Sequence, residues 1–285
     1  MIDGELVAPG EARVSIFDRG FLYGDSVFET LRTYRRRAFA LDEHLARLAW
    51  SASRVFIELP VTESVLREEA QRTLASVDNA ESFIRIMVTR GRAESLGLDP
   101  SLAGIPTRVV IVGPLQTPPL EAYEKGVAVT CYRTQRLADA TDAAGAKVGN
   151  YLVAVLAQRA AKLAGAAESL IVDAHGHVIE GANSNLFAIL GGRLVTPPED
   201  AGILPGITRA RVIEVARELG LPVELRPLTV DELMRAEEAF VSSTIREVLP
   251  VVTVDGSTVG SGQPGPWTRK LLAGFREKVH EIMDL

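Results

Sequence analysis

Cysteine is almost missing from this chain. Cys131 is the only one in 285 residues, so no internal disulfide can form and a reducing cytoplasm is the expected setting. It lies in the apolar run Val127 to Tyr132 and reads as a small buried hydrophobe. Lysine is scarce: of 31 basic residues only Lys125, Lys147, Lys162, Lys270 and Lys278 are lysines. Arginine is the default cation, so a lysine away from the surface carries information. No apolar run reaches the roughly 18 residues of a membrane span, and the acidic opening Met1-Ile2-Asp3-Gly4-Glu5 is not an export signal. A soluble, non-exported protein is expected. Positive charge is also in deficit, with a net charge of -6 and a pI of about 5.4. Nucleic-acid binding needs a basic face, and no Lys/Arg block supplies one. The densest run, Arg35-Arg36-Arg37, falls between strand-like segments and reads as a solvated hairpin turn.

What remains is ordinary for a globular protein: 47% hydrophobic and 24% charged residues. A core of that size needs no staples, and the length suits one large domain or two small ones. Gly113-Pro114-Leu115-Gln116-Thr117-Pro118-Pro119 is the clearest break, because closely spaced prolines stop regular elements. It implies a small α/β domain over 1–113, a linker over 114–125 and a larger domain over 126–285. In the first, Val27 to Tyr34, Phe83 to Thr89 and Arg108 to Val112 read as strands. Asp42 is placed to cap a helix from Glu43 to Val55, and Thr62 to start another. In the second, strands are expected at Val127 to Arg133, Leu170 to Asp173, Val178 to Ile179, Leu186 to Leu190 and Glu238 to Ser242. Helices are expected from Asn150 to Ala164, from Thr208 to Gly220 and from Pro266 to Ile282, with a capping box at Thr229 to Glu232. Strands and helices mix without strict alternation, so the class is α+β.

Two familiar patterns dissolve in context. Gly260-Ser261-Gly262-Gln263-Pro264-Gly265 matches a dinucleotide fingerprint literally, but it holds a proline and no βαβ unit follows it. His175-Gly176-His177 has a central glycine between strands, which is a turn signature, and lacks the further ligands of a metal site. No metal is expected. A nucleophile elbow and a P-loop are both absent.

Four elements invite chemistry. Lys147 follows small residues (Ala143-Ala144-Gly145-Ala146) that leave room for something planar, and a desolvated lysine is a usable amine nucleophile; a surface lysine at a helix start is the competing reading. Glu180 ends an apolar strand before Gly181, where it can hold a protonated ring nitrogen or be an exposed turn acid. Leu204-Pro205-Gly206-Ile207-Thr208-Arg209 opens a helix whose free N–H groups and Thr208 hydroxyl make a phosphate cradle, or an ordinary cap. Ser242-Ser243-Thr244 adds a second hydroxyl, and Arg47 can pair with a phosphate.

In this order the pieces resemble the fold-type IV pyridoxal-phosphate enzymes, a group of branched-chain aminotransferases, D-amino-acid aminotransferases, R-selective amine transaminases and aminodeoxychorismate lyases. The likeness runs from Asp18-Arg19-Gly20-Phe21-Leu22-Tyr23-Gly24-Asp25 through Phe28-Glu29 to Glu247-Val248-Leu249-Pro250. It implies a two-domain α+β enzyme with pyridoxal 5'-phosphate between the domains, and a homodimer. It also implies that Lys147, in K-x-x-N-Y-L, is the catalytic Schiff-base lysine. Glu180, in E-G-x-x-x-N-L-F, pairs with the pyridine nitrogen. Arg47, in E-H-x-x-R-L, binds the phosphate with Ile207, Thr208 and Thr244; Tyr151 reaches the ring 3-hydroxyl and Leu204 packs on the ring face. Ile84 to Gly91 followed by Leu96-Gly97-Leu98-Asp99-Pro100 resembles the branched-chain group, as does Asn150-Tyr151. Two departures, Phe28-Glu29-Thr30-Leu31-Arg32 and Ser243-Thr244-Ile245-Arg246-Glu247, are common among sequences resembling the lyases. The expected activity is amino transfer between a branched-chain-like amino acid or amine and a 2-oxo acid. The alternative is aminodeoxychorismate lyase, with D-amino-acid and R-amine transaminases further away. Phe28, Arg32 and Arg246 are the substrate candidates.

Overall fold

The computed structural model describes residues 1–134 and 143–285. It divides into two compact units, Met1–Gln116 with Ala146–Tyr151, and Thr117–Gly145 with Leu152–Leu285.

The first unit contains α1 (Arg19–Tyr23), β1 (Ser26–Tyr34), β2 (Arg37–Ala38), α2 (Leu41–Arg54), α3 (Glu63–Ala75), β3 (Ser82–Thr89) and β4 (Arg108–Pro114). The strands form an antiparallel sheet in the order β2-β1-β3-β4. Alternation sets its faces: Val27 and Leu31 of β1 and Ile84, Ile86 and Val88 of β3 enter a core completed by Leu45 and Leu48 of α2 and Leu66 of α3. Phe28, Thr30 and Arg32 therefore belong to the opposite face.

The arginine run is a hairpin turn, as its position between strands suggests. Arg35 and Arg36 sit at φ 48° and 62°, a left-handed pair that usually calls for Asn-Gly. Glu81 compensates by accepting from the N–H groups of Arg35 (2.6 Å) and Arg36 (3.3 Å). Asp42 is not the cap of α2. The helix starts at Leu41 behind Ala40, which takes φ 52° and makes no side-chain capping bond; Asp42 and Glu43 lie in the first turn, where they favour the helix dipole. Thr62 does cap α3, accepting from the Val65 N–H.

The second unit contains α4 (Leu120–Lys125), β5 (Val127–Arg133), α5 (Leu152–Leu163), β6 (Glu168–Val172), β7 (His177–Gly181), β8 (Asn185–Leu190), β9 (Arg193–Thr196) and α6 (Ile207–Glu218). It continues with β10 (Val223–Leu225), β11 (Leu228–Thr229), α7 (Val230–Met234), β12 (Glu238–Ser243), β13 (Glu247–Val254), β14 (Ser257–Thr258) and α8 (Pro266–Met283). Among the described residues its sheet runs β10-β9-β8-β12-β13-β5-β6-β7-β11, with β14 on β13. Inside it Phe187 and Phe240 stack at 4.8 Å. The His175 and His177 stretch is the β6–β7 turn, where the Asp173 carboxylate accepts from both backbone N–H groups at 2.8 Å. Cys131 is half-buried, short of the full burial expected.

Three features differ from the sequence expectations. The stretch read as a linker holds α4, whose Ala122 and Tyr123 pack against the core of the second unit. Strand β13 was hidden by Pro250, a residue that argues against interior strands yet stands opposite Phe240 in the β12–β13 ladder. Third, α5 begins at Leu152 rather than Asn150, because Ala146–Tyr151 belongs to the first unit.

Candidate active site

The short segment that carries Lys147 is pinned to the edge of β1. The Phe28 N–H donates to the Lys147 carbonyl (3.0 Å), the Gly149 N–H to the Ser26 carbonyl (2.7 Å) and the Lys147 N–H to Ser51 Oγ (3.1 Å). Close approach demands glycine at 149, since a Cβ there would stand 2.1 Å from Ser26 Oγ. This anchoring aims the lysine. Its Nζ lies 3.3 Å from Tyr151 Oη and 4.8 Å from the Phe28 ring centre. Phe28 and Tyr151 meet edge to face at 5.1 Å, so the amine rests on an aromatic bed. The Arg85 guanidinium stacks over the same Phe28 ring at 4.6 Å. Arg32, on the same face of β1 as Phe28, is buried and stacks on Tyr34 at 4.2 Å.

On the other face of β1, Glu29 is fully buried among core residues. Arg47 grips it with two bonds of 2.7 Å, Nε to Oε1 and Nη2 to Oε2, and His44 Nδ1 lies 2.7 Å from Oε2. Burial alone would raise the Glu29 carboxyl, but the Arg47 and His44 bonds and charges outweigh it and hold it at about 2. Burial pushes the His44 imidazole down, and Arg47 and Lys147 push the same way against Glu29. His44 is thus neutral at pH 7, and its Nδ1–H donates to the carboxylate. Its Nε2 has no partner among the described residues.

In the second unit, Glu180 stands next to last in β7, and its Oε2 accepts from the Leu204 N–H at 3.0 Å. Asn185 Nδ2 donates to the Leu204 carbonyl (2.9 Å) and reaches Glu180 Oε2 at 3.5 Å. The carboxylate is thereby tied to the loop that opens α6. That helix starts behind Gly206 with no side chain capping it. A Cβ at 206 would collide with Asn185 Oδ1 at 2.0 Å, so the approach stays open only to glycine. Ile207 and Thr208 are its first two residues, with amides that no intrahelical partner takes. Ser242, opposite Asn185 in the ladder, buries a hydroxyl without a partner among the described residues. Thr244 lies in the β12–β13 turn.

Of the residues singled out from sequence, Phe28, Arg32, Arg47, Lys147 and Tyr151 fall in the first unit, and Glu180, Leu204, Ile207, Thr208, Thr244 and Arg246 in the second. Arg246, the third substrate candidate, is paired within its own unit. Its Nη1 lies 2.6 Å from Glu168, a buried carboxylate that also accepts from Ser184 Oγ and the Asn183 N–H at 2.7 Å. Its charge is used inside the unit. Sequence reasoning passed over Glu29, His44 and Arg85. The signal for Glu29 was available, because it alternates in phase with Val27 and Leu31 and an acid in a core stripe needs partners. Among the described residues, no group of three His, Cys, Asp or Glu is placed to hold a metal ion.

Comparisons with known proteins agree along the whole chain. The model of the amino-transferase class IV family matches residues 26–254. A Methanocaldococcus jannaschii protein, provisionally named branched-chain-amino-acid aminotransferase, is 39% identical over 97% of this chain and 94% of its own. The D-alanine aminotransferase of Bacillus licheniformis is 33% identical over 98% of this chain and 96% of its own. The T.th. branched-chain amino acid aminotransferase, solved with N-(5'-phosphopyridoxyl)-L-glutamate, superposes with a TM-score of 0.90 at 31% identity, a match that covers 98% of this chain and 93% of the other.

Proposed function

This chain belongs to the amino-transferase class IV family, and from that premise we propose its substrates and the work of each residue. It is a pyridoxal-phosphate-dependent transaminase. Taken unit by unit, the donors suit that cofactor: in the first, an amine for the aldehyde and an arginine for the phosphate; in the second, a tied carboxylate for the ring nitrogen and, for the phosphate, an uncapped helix start and the Ser242 hydroxyl, which has no partner among the described residues.

When bound, pyridoxal phosphate supplies an aldehyde for an amine and a ring that draws electrons from a substrate Cα. Lys147 Nζ is the amine that would hold the cofactor through its aldehyde, and the same amine would carry the proton to and from the substrate Cα. Tyr151 Oη, 3.3 Å from Nζ, orients that amine and would bond the 3-hydroxyl of a bound ring. Glu180 keeps a proton on the ring nitrogen, and Leu204 and Asn185 keep Glu180 in place. Leu204 packs on the ring. Arg47, Thr244 and the start of α6 at Ile207 and Thr208 bind the phosphate. Phe28 excludes water around Nζ, and Arg85 and Arg32 meet a substrate carboxylate from the same face.

The donor we assign is a branched-chain L-amino acid, with a 2-oxo acid as acceptor. The observation that carries this is the aromatic bed under Lys147, extended by Met87 directly opposite Phe28 in the β1–β3 register, a floor suited to an aliphatic side chain. The test is turnover of L-leucine and of D-alanine with 2-oxoglutarate by purified holoprotein. L-leucine is expected to be the faster donor, and Lys147→Ala should abolish both transfer and the visible absorbance of the bound cofactor. The D-alanine aminotransferase relative supports the second reading, the D-enantiomer as donor, which faster D-alanine turnover would establish. Release of 4-aminobenzoate from aminodeoxychorismate without amino transfer would overturn both in favour of a lyase.

The enzyme works as a homodimer in this reading. In the first unit Ile16, Phe17, Phe21, Leu96, Leu98 and Ile105 are all exposed, on two stretches joined by the Ala93 N–H to the Phe17 carbonyl and the Arg19 N–H to the Gly91 carbonyl. An apolar patch of that kind marks an interface. The single cysteine supports a cytoplasmic setting. Among the described residues no helix is long and apolar enough to cross a membrane.

A further inference from the structure

Two side chains that take no part in the reaction above stand behind Arg47: Glu29 binds it directly, and His44 binds Glu29. The three form a chain of bonds at 2.7 Å across the core face of β1 and the first turns of α2. If charge were all that Arg47 supplied, this would be a poor arrangement. A buried carboxylate beside the guanidinium leaves the pair formally neutral and weakens its pull on an anion. What the pair supplies is orientation. Gripping Nε and Nη2 together fixes the plane of the guanidinium, which otherwise rotates on a flexible stem. Glu29 is fixed in turn: it has no exposure, it sits on a central strand, and His44, one helical turn before Arg47 and equally buried, holds Oε2.

We propose that Glu29 and His44 are positioning residues for phosphate recognition, holding Arg47 ready for the phosphate of the cofactor. The proposal rests on the reading of Arg47 as a phosphate contact. It predicts an effect opposite in sign to that of charge alone. Removing the negative charge of Glu29 should weaken selection of the phosphate if orientation dominates, and strengthen it if attraction dominates.

The experiment titrates full-length apoprotein with pyridoxal 5'-phosphate and with pyridoxal, following absorbance and tryptophan fluorescence, and takes the ratio of the two affinities. A purely structural ion pair would move both affinities alike and leave the ratio unchanged. Glu29→Gln should lower the ratio about tenfold, the scale of one lost charged hydrogen bond, and Glu29→Asp should recover part of it. His44→Leu should lower it about threefold, on the smaller scale of a neutral donor, with His44→Gln restoring it. In an Arg47→Lys background, Glu29→Gln should cause no further loss. A ratio unchanged or raised in Glu29→Gln overturns the proposal, and a ratio unchanged in His44→Leu removes His44 from it. Should Glu29→Gln fail to fold, the His44 pair and the Arg47→Lys background decide. Wild-type protein with no preference for the phosphorylated form would overturn the reading of Arg47 itself, and the proposal with it. A wild-type preference that survives in the variants overturns the positioning role alone.

Discussion

At the scale of single residues, the buried Glu29–His44–Arg47 group makes stability depend on pH. The Glu29 carboxyl is held at about 2, below its ordinary 4.5. Its stabilisation is therefore complete above 4.5 and is lost as pH falls toward 2. The size follows from the shift, about 3 kcal/mol at 1.36 kcal/mol per unit. His44 acts with the same sign from a higher starting point. Its imidazole is depressed below 6.5, so as pH drops under 6.5 the unfolded chain takes up a proton that the folded chain refuses. Denaturation followed between pH 7 and 3 should show stability falling in two stages, the upper one absent in His44→Gln. Glu29→Gln should be less stable at pH 7 and lose less between pH 5 and 3. Parallel curves for wild type and Glu29→Gln would show that the carboxylate is not carrying this dependence. Lys147 presents the opposite case at the same scale. Its surroundings suit the role proposed for it, with the Phe28 and Tyr151 rings beside an amine that bonds to a phenol rather than to a carboxylate.

Elements show where sequence patterns were sufficient and where they were not. The strands with β-branched alternation, the Thr62 cap and the Thr229 to Glu232 capping box were legible because their signals are local. The β13 strand was not, because Pro250 breaks a local rule that only the surrounding ladder overrides. Nor was the attachment of Ala146–Tyr151 to β1, which depends on pairing over more than a hundred residues. The site divides the same way. Lys147, Glu180 and Arg47 stand in motifs, whereas the grip of Glu29 on Arg47 joins a strand to a helix, and the tie of Arg246 to Glu168 spans 78 positions. The Arg35-Arg36 turn offers a test at this scale. Both residues occupy left-handed backbone that costs an ordinary side chain about 1 kcal/mol each, and the exposed Arg36–Asp78 pair returns little. Replacing Arg35-Arg36 with Asn-Gly should raise unfolding free energy by about 1 kcal/mol, read by urea denaturation. Unchanged or lower stability would mean that the Glu81 bonds, not the backbone, set the energy of this turn.

At the scale of the whole molecule the question is what covers the exposed apolar side chains of the first unit. They are not loosely displayed. Buried Arg19 donates from Nε to Asp25 (2.9 Å) and from its terminal nitrogens to the carbonyls of Gly97, Leu98 and Asp99. Arg90 donates to both oxygens of Asp25, sharing Oδ2 with Arg19, and to the carbonyls of Val55 and Phe56. Burial would raise the Asp25 carboxyl, yet its two arginines keep it below the ordinary range, so the clamp stays charged at neutral pH. The stretch carrying Leu96 and Leu98 is thus fixed against the one carrying Phe17 and Phe21, which gives a rigid patch with little ordering entropy left to lose on association. Light scattering on purified protein should give twice the 30.7 kDa chain mass. Phe21, two-thirds exposed, contributes little to the core of its own unit, so Phe21→Asp should leave the circular dichroism spectrum intact while burying a charge at the contact. The variant should run at the mass of one chain or shift its dimer dissociation upward by about a hundredfold or more. Wild-type protein at the mass of one chain across micromolar concentrations would leave the patch to some other partner and remove the homodimer from the functional reading.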